Sequence, residues 1–167
     1  MLDRPSTTTG RTRVVVIGMG DTGVLVSTHL GRSFDVVGVS TKPALVSGQE
    51  LGTRLADPEA WRRNYLTPLD RFRRLEHVRV VHGAVKAVDT DTKLIEVVDA
   101  DGALVSLPYD VAVIASGTTN GFWRRREIED LASVEAGITE VASSIDRARS
   151  IAIIGGGPTG VSAAHNL

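Results

Sequence analysis

The chain of 167 residues is expected to fold as an α/β protein, a parallel sheet with an antiparallel meander inserted into it. Three observations carry that expectation. Residues 14–17 are an unbroken β-branched run, followed at once by Gly18, Gly20 and Gly23 and then by apolar Val24, Leu25 and Leu30 on one side of a helix. Residues 78–108 switch to the alternating period of antiparallel strands around Asp101-Gly102, a strong hairpin turn. Residues 150–160 then repeat the opening pattern, a β-branched run leading into Gly155, Gly157 and Gly160 at the same G-x-G-x-x-G spacing.

In the first unit each glycine has its own reason. Gly18 lets the chain turn sharply out of the strand, Gly20 removes the side chain that would block a pyrophosphate, and Gly23 lets helix and strand pack closely. An anion placed there meets the unpaired N–H groups of a helix N-terminus. The turn, which includes Asp21 and Thr22, is therefore a candidate dinucleotide site. Asp21 reads as an N-terminal helix cap; if it faces the site instead, it repels the phosphates.

Gly31 is the expected helix stop, and residues 34–40 form the second strand. The end of such a strand usually carries a carboxylate for the ribose hydroxyls, whereas Ser40 stands there. Ser40 can make one hydrogen bond, and Ser40-Thr41-Lys42 could equally receive a ribose 2′-phosphate. Asp57-Pro58-Glu59-Ala60 is expected to start a helix, and Thr67-Pro68-Leu69-Asp70 a second one, in which Leu69, Phe72 and Leu75 recur at helical spacing. Trp61 and Phe72 are assigned to packing rather than to stacking on bases.

Residues 78–82 and 85–89 read as two strands flanking Gly83-Ala84, followed by strands 94–99 and 104–108. Residues 109–115 form a buried apolar strand ending in Ala115, Ser116, Gly117 and Thr118, small residues that let a backbone approach a ligand. Residues 131–148 carry Leu131, Val134, Ile138, Val141, Ile145 and Ala148 at helical spacing, with Gly137 as an interruption. After Gly157, Pro158 and Thr159 lead to Gly160, and residues 161–167 begin another helix.

A formal net charge of -1 argues against a nucleic-acid partner, and the arginine runs at 62–63, 71–74 and 124–126 are read as solvated surface. With no cysteine there is no disulfide, thiolate nucleophile or Cys-based metal site in these residues, so a redox role needs a bound cofactor. His29, His77, His82 and His165 lack ligand spacing, so no metal site and no catalytic residue is assigned. Residues 1–12 read as a disordered tail. No apolar run approaches the ~20 residues of a membrane span, so a cytoplasmic location is expected, with attachment to a membrane surface left open and unsupported.

The two strand–glycine–helix units, with the hairpin insertion and Ala115-Ser116-Gly117 between them, resemble the FAD-dependent pyridine nucleotide oxidoreductases, flavoproteins with two Rossmann-like dinucleotide-binding domains. The missing redox cysteines point within that group toward type II NADH dehydrogenases and apoptosis-inducing-factor-like reductases. The resemblance implies FAD and NAD(P)H as cofactors. Gly18, Gly20 and Gly23 would take the FAD pyrophosphate, Ser40 with Lys42 would stand near the adenosine ribose, and Val85 would meet adenine through its backbone. Ala115, Ser116 and Gly117 would lie beside the FAD, and Gly155, Gly157 and Gly160 would begin the NAD(P)H domain. Ser162 stands where the family often has a glutamate near the nicotinamide.

On this resemblance residues 13–148 are an incomplete FAD-binding domain and residues 149–167 the truncated start of an NAD(P)-binding domain. The chain is then expected to be an N-terminal fragment. Its terminal strand and half helix carry an apolar face that must pack onto the first domain or another chain, so self-association is one expectation. The implied activity is hydride transfer from NAD(P)H to flavin and on to a quinone or other acceptor, although this chain alone lacks a complete active site. The alternatives are a non-catalytic NAD(P)-sensing Rossmann module, to which Ser40-Thr41-Lys42 gives some support, and an inert remnant.

Overall fold

A computed structural model describes residues 10–47, 51–118 and 125–167. The first nine residues of the expected tail, and Arg124 of the third arginine run, lie outside the described residues. The opening unit forms as expected: β1 (Arg13–Ile17), α1 (Asp21–Leu30) and β2 (Asp35–Ser40). Gly31 ends the helix with φ +60, in the left-handed region. Next come β3 (Ala44–Val46), α2 (Leu51–Ala56), α3 (Pro58–Tyr65) and β4 (Leu66–Pro68), then β5 (Val78–Asp89), β6 (Leu94–Asp99), β7 (Leu104–Pro108) and β8 (Val111–Ile114), and finally α4 (Leu131–Asp146) and α5 (Pro158–Asn166).

Among the described residues, six strands form one sheet in the order β7-β6-β5-β2-β1-β8. β8, β1, β2 and the first half of β5 run parallel, and the second half of β5, β6 and β7 form the antiparallel meander. The changeover falls at Gly83. His82 still pairs with Ser40 on β2, while Gly83 pairs with Asp99 on β6. A Cβ on Gly83 would lie 2.5 Å from the Val98 carbonyl oxygen, so β6 can cross only because that position has no side chain. The two strands expected on either side of Gly83-Ala84 are thus one strand that changes partner.

The central parallel strands β1 and β2 are covered on both faces, as their unbroken apolar runs require. Val14, Val16 and Val36 face a core with Val24 of α1, Met19, Leu69 and Leu75. Val15, Val37 and Val39 face the other way, against Ile95, Val97, Leu107 and Tyr109. The meander therefore curls over the face that a second helix layer would otherwise cover. A third cluster, with Trp61, Ala44, Leu66, Val134 and Ile138, joins α3, α4 and the β3–β4 pair. There Arg54, fully buried, lies 4.8 Å over the Trp61 ring and donates to the Ser47 carbonyl.

Several expectations are corrected. Residues 66–75 are not a helix: Leu66–Pro68 pairs with Ala44–Val46, and Leu69–Arg71 and Arg73–Leu75 are single 3-10 turns. Pro68 sits at φ -52, ψ 138, extended rather than in the helical conformation of the first-turn proline expected there. Gly137 does not interrupt α4, which runs unbroken from its Asp130 N-cap and ends at Asp146. β8 is an edge strand rather than a buried one, with Ile114 74% exposed. Residues 150–154 form no strand. They pair with nothing among the described residues, and Ile154 is 99% exposed.

Candidate functional site

The ladder of the parallel sheet carries on into the first glycine turn. The Gly18 N–H donates to the Val39 carbonyl at 2.8 Å, and the Ala115 N–H donates to the Ile17 carbonyl at 2.8 Å. The turn thus sits at the carboxyl ends of three adjacent strands, where open α/β sheets bind ligands. Gly18 has φ +96, and a Cβ there would lie 2.5 Å from the Ala115 carbonyl oxygen and 2.8 Å from the Ser116 Cα. Two features far apart in sequence, the opening glycine and the small residues after β8, are therefore in backbone contact. Gly23 is buried beneath the turn, and a Cβ on it would overlap the Gly18 carbonyl oxygen.

Gly20 is different. It occupies the N-cap of α1 with an extended backbone, and a Cβ built on it meets no atom within 4 Å. It opens onto a cleft of about 820 Å³, well within the range of small-molecule sites. Asp21 is not the cap; it is the first residue of the helix, and it lines the cleft with Thr22. At this place the chain offers the first N–H groups of α1, a side-chain-free approach over Gly20, and room beyond it. Those features suit a pyrophosphate.

The cleft also collects Ser40 and Lys42 from the end of β2, Val85 from β5, and Ala115, Ser116 and Gly117. Ser40 is nearly buried and accepts a hydrogen bond from the Lys42 N–H at 3.2 Å. The Lys42 ammonium is engaged within the protein. It pairs with the Glu129 carboxylate at 2.8 Å, both side chains being 11% exposed, and donates to the Arg125 carbonyl at 3.0 Å. His82 Nε2 lies 3.2 Å from the Thr41 carbonyl and 3.1 Å from that of Glu129, and the Glu129 N–H donates to the Thr41 carbonyl at 2.9 Å. Arg125 and Arg126, read from sequence as solvated surface, are exposed but edge the cleft. No local pattern in the sequence signals this clasp, because its members lie on segments around residues 42, 82 and 129.

Gly155, Gly157, Pro158, Thr159 and Gly160 lie outside this cleft, yet their backbone repeats the first turn. Gly155 has φ +114, and Gly157 is the N-cap of α5 at φ -76, ψ 175, against -78 and -165 at Gly20. A Cβ on Gly160 would overlap the Gly155 carbonyl oxygen and lie 3.6 Å from Ile153 Cγ2; the matching distance from Gly23 to Val16 Cγ1 is 3.6 Å. The shared geometry extends back to the residue two positions before each turn. Ser162, one turn into α5, packs against α2, where a Cβ on Gly52 would stand 2.8 Å from Ser162 Oγ.

Comparison with known proteins matches residues 12–167 to the family described as pyridine nucleotide-disulphide oxidoreductase. The chain belongs to this family. It is the FAD-dependent pyridine nucleotide oxidoreductase group that the paired glycine units resemble, a family whose cofactors are FAD and a pyridine nucleotide. The apoptosis-inducing factor homolog A of Dictyostelium discoideum is 26% identical over 150 residues, which cover 89% of this chain and 35% of that protein. Among solved structures, reduced Bacillus anthracis CoADR-RHD superimposes with a TM-score of 0.67 at 19% identity, covering 94% of this chain and 31% of the other. A NAD-dependent persulfide reductase from A. fulgidus gives 0.65 at 20% identity, covering 93% and 32%. The chain thus spans about a third of the length of the relatives it matches. Both structural likenesses bear on the fold, and the Rossmann-like sheet described above is that fold.

Proposed function

We propose that the cleft at the first glycine turn holds FAD, and that the chain is part of an FAD-dependent NAD(P)H oxidoreductase. The observation that carries this reading is the Gly20 opening: a side-chain-free gap at the α1 N-terminus, leading into a cleft large enough for a dinucleotide. In it the pyrophosphate rests on the Gly18–Gly23 turn, the adenosine ribose lies by Ser40, adenine meets the backbone at Val85, and Ala115, Ser116 and Gly117 flank the cofactor. Bound flavin supplies hydride acceptance from NAD(P)H and delivery to a quinone or other acceptor. The residues present position it and shape its surroundings, and none of them is assigned a catalytic role.

Residues 13–148 are read as the FAD unit and residues 149–167 as the opening of the NAD(P)H unit. The congruence of Gly155–Gly160 with Gly18–Gly23 supports that division. No helix among the described residues is long and apolar enough to cross a membrane, and a cytoplasmic setting is the proposed one. The sensor reading drew slight support from Ser40-Thr41-Lys42 as a 2′-phosphate site; with the Lys42 ammonium engaged by Glu129, it gains no further support from this geometry.

Titration of the purified chain with FAD, NADH and NADPH, followed by calorimetry and flavin absorbance, tests the proposal. FAD binding that disappears in Gly20→Val is the expected result. NADPH binding without FAD would overturn it in favour of a sensor, and binding of none of the three would leave these residues without an autonomous site.

A further inference from the structure

The cleft is asymmetric in charge. Among its described lining residues, the cations are Lys42, Arg125 and Arg126 and the one carboxylate is Asp21. Lys42 is neutralised by Glu129, whereas neither Arg125 nor Arg126 has an ion-pair partner among the described residues. Both arginines belong to an arm, residues 125–130, that has no regular structure of its own. The arm leads directly into α4 through Asp130, whose carboxylate caps Ser133.

What holds the arm is the clasp. Lys42 takes both the Glu129 carboxylate and the Arg125 carbonyl, so a single ammonium ties the two ends of the arm to the end of β2. The Thr41 carbonyl accepts the Glu129 N–H, and His82 bridges the same two residues from β5. Arg125 lays its guanidinium along α4, where a Cβ on Gly137 would be 3.7 Å from its Nη2. An ion pair with both side chains mostly out of water has geometric consequences that a surface pair lacks: removing one partner strands the other, and the segment it anchors is released.

We propose that Lys42 and Glu129 are positioning residues for the nucleotide site. They clasp the 125–130 arm so that Arg125 and Arg126 present positive charge along the edge of the cleft to the phosphates of the bound adenine dinucleotide. This inference rests on the reading of the cleft as a dinucleotide site and gives Lys42 a role other than contact with the ribose.

The test uses ADP and adenosine as probes, by calorimetry on the whole chain at low and high salt. Lys42→Met and Glu129→Gln are each expected to weaken ADP binding about tenfold and to leave adenosine binding within about twofold. The Lys42→Glu/Glu129→Lys exchange should recover only part of the loss, because it restores the ion pair with its sign reversed but not the hydrogen bond to the Arg125 carbonyl. Arg125→Gln/Arg126→Gln should weaken ADP binding similarly and flatten its salt dependence, a change that a purely structural role would not produce. Thermal melts identify any variant that has failed to fold, in which case the exchange and the arginine pair decide.

ADP binding that Gly20→Val abolishes but that is indifferent to the arginine pair, or equal losses for ADP and adenosine, would refute the arm's role and leave the cleft reading standing. Absence of ADP binding by the parent chain would refute both.

Discussion

Gly23→Ala gives the sharpest test of how the first turn is built. In an ordinary helix interior the change would stabilise the protein by about 1 kcal/mol, since alanine is the better helix former. Here the added Cβ overlaps the Gly18 carbonyl oxygen, and both atoms belong to backbone that cannot rotate aside. Gly18 is itself pinned by its hydrogen bond to Val39 and by contact with Ala115 and Ser116, so α1 must move off the sheet, where Val24 and Met19 share a core with Val14, Val16 and Val36. Displacement of packed elements of this kind costs about 3 kcal/mol, toward the top of the usual overpacking range. The net loss is then about 2 kcal/mol, a Tm lower by about 4–8 °C for a chain of this size. Thermal unfolding followed by circular dichroism reads the effect. A Gly23→Ala Tm equal to or above that of the parent would refute the close-approach account. Gly20→Ala is the control: its Cβ meets nothing, so its Tm should fall only by the poorer capping of alanine, about 0.5–1 kcal/mol, and less than for Gly23→Ala.

Other substitutions probe the remaining parts. Ile95→Ala, at a fully buried position where the meander covers the sheet, should cost about 3 kcal/mol, seen as a lower urea midpoint with an unchanged m-value. Gly38→Ala places a Cβ 2.5 Å from Met19 Sδ and should cost about 1–2 kcal/mol; a double-mutant cycle with Met19→Ala should show coupling of at least ~0.5 kcal/mol, because the thioether then no longer occupies that space. The Asp130 carboxyl is held below its ordinary range by hydrogen bonds from Ser133, with a smaller contribution from the charge of His82. Its folded pKa is depressed, so its stabilisation is complete at neutral pH and is lost as pH falls through the folded value. Asp130→Ala should therefore melt below the parent at pH 7, and the two curves should converge in strong acid.

What the sequence makes legible is what is local. Strand, glycine turn and helix at 13–30 are specified by consecutive residues, and Gly18 and Gly23 have the steric reasons expected of them. At Gly83 a local signal was present but ambiguous: a glycine in a strand marks either an end or a close crossing, and only the position of β6 decides between them. Residues 66–75 show tertiary contact overriding pattern. Their apolar spacing suits a helix, yet pairing of Leu66–Pro68 with Ala44–Val46 takes the backbone first, and Leu69 and Leu75 reach the same core from two short turns. Gly18, Gly20 and the small residues after β8, which turn chemistry favours, and Ser40, which ends β2, stand out in the sequence and line one cleft. The Lys42–Glu129–His82 clasp does not stand out there, since it depends on three segments meeting in space.

The second glycine turn separates geometry from packing, because it repeats the first without the bed beneath it. Gly155 and Gly160 meet with the same overlap that Gly18 and Gly23 show, but Ile151 and Ile153 are 47% and 40% exposed, where Val14 and Val16 are buried. A β-branched run becomes a strand only when a neighbouring strand takes its N–H and C=O groups; residues 150–154 find none among the described residues, so their backbone stays in contact with water. The turn conformation must then come from its own residues: the left-handed Gly155, the fixed φ of Pro158 and the closeness of Gly160. Relief of a clash is cheap where nothing else has to move. Gly160→Ala should therefore lower Tm by less than half as much as Gly23→Ala, although the two overlaps are alike. Equal losses would mean that residues 150–160 are packed as firmly as the first unit in solution, and would count against the exposure of this segment.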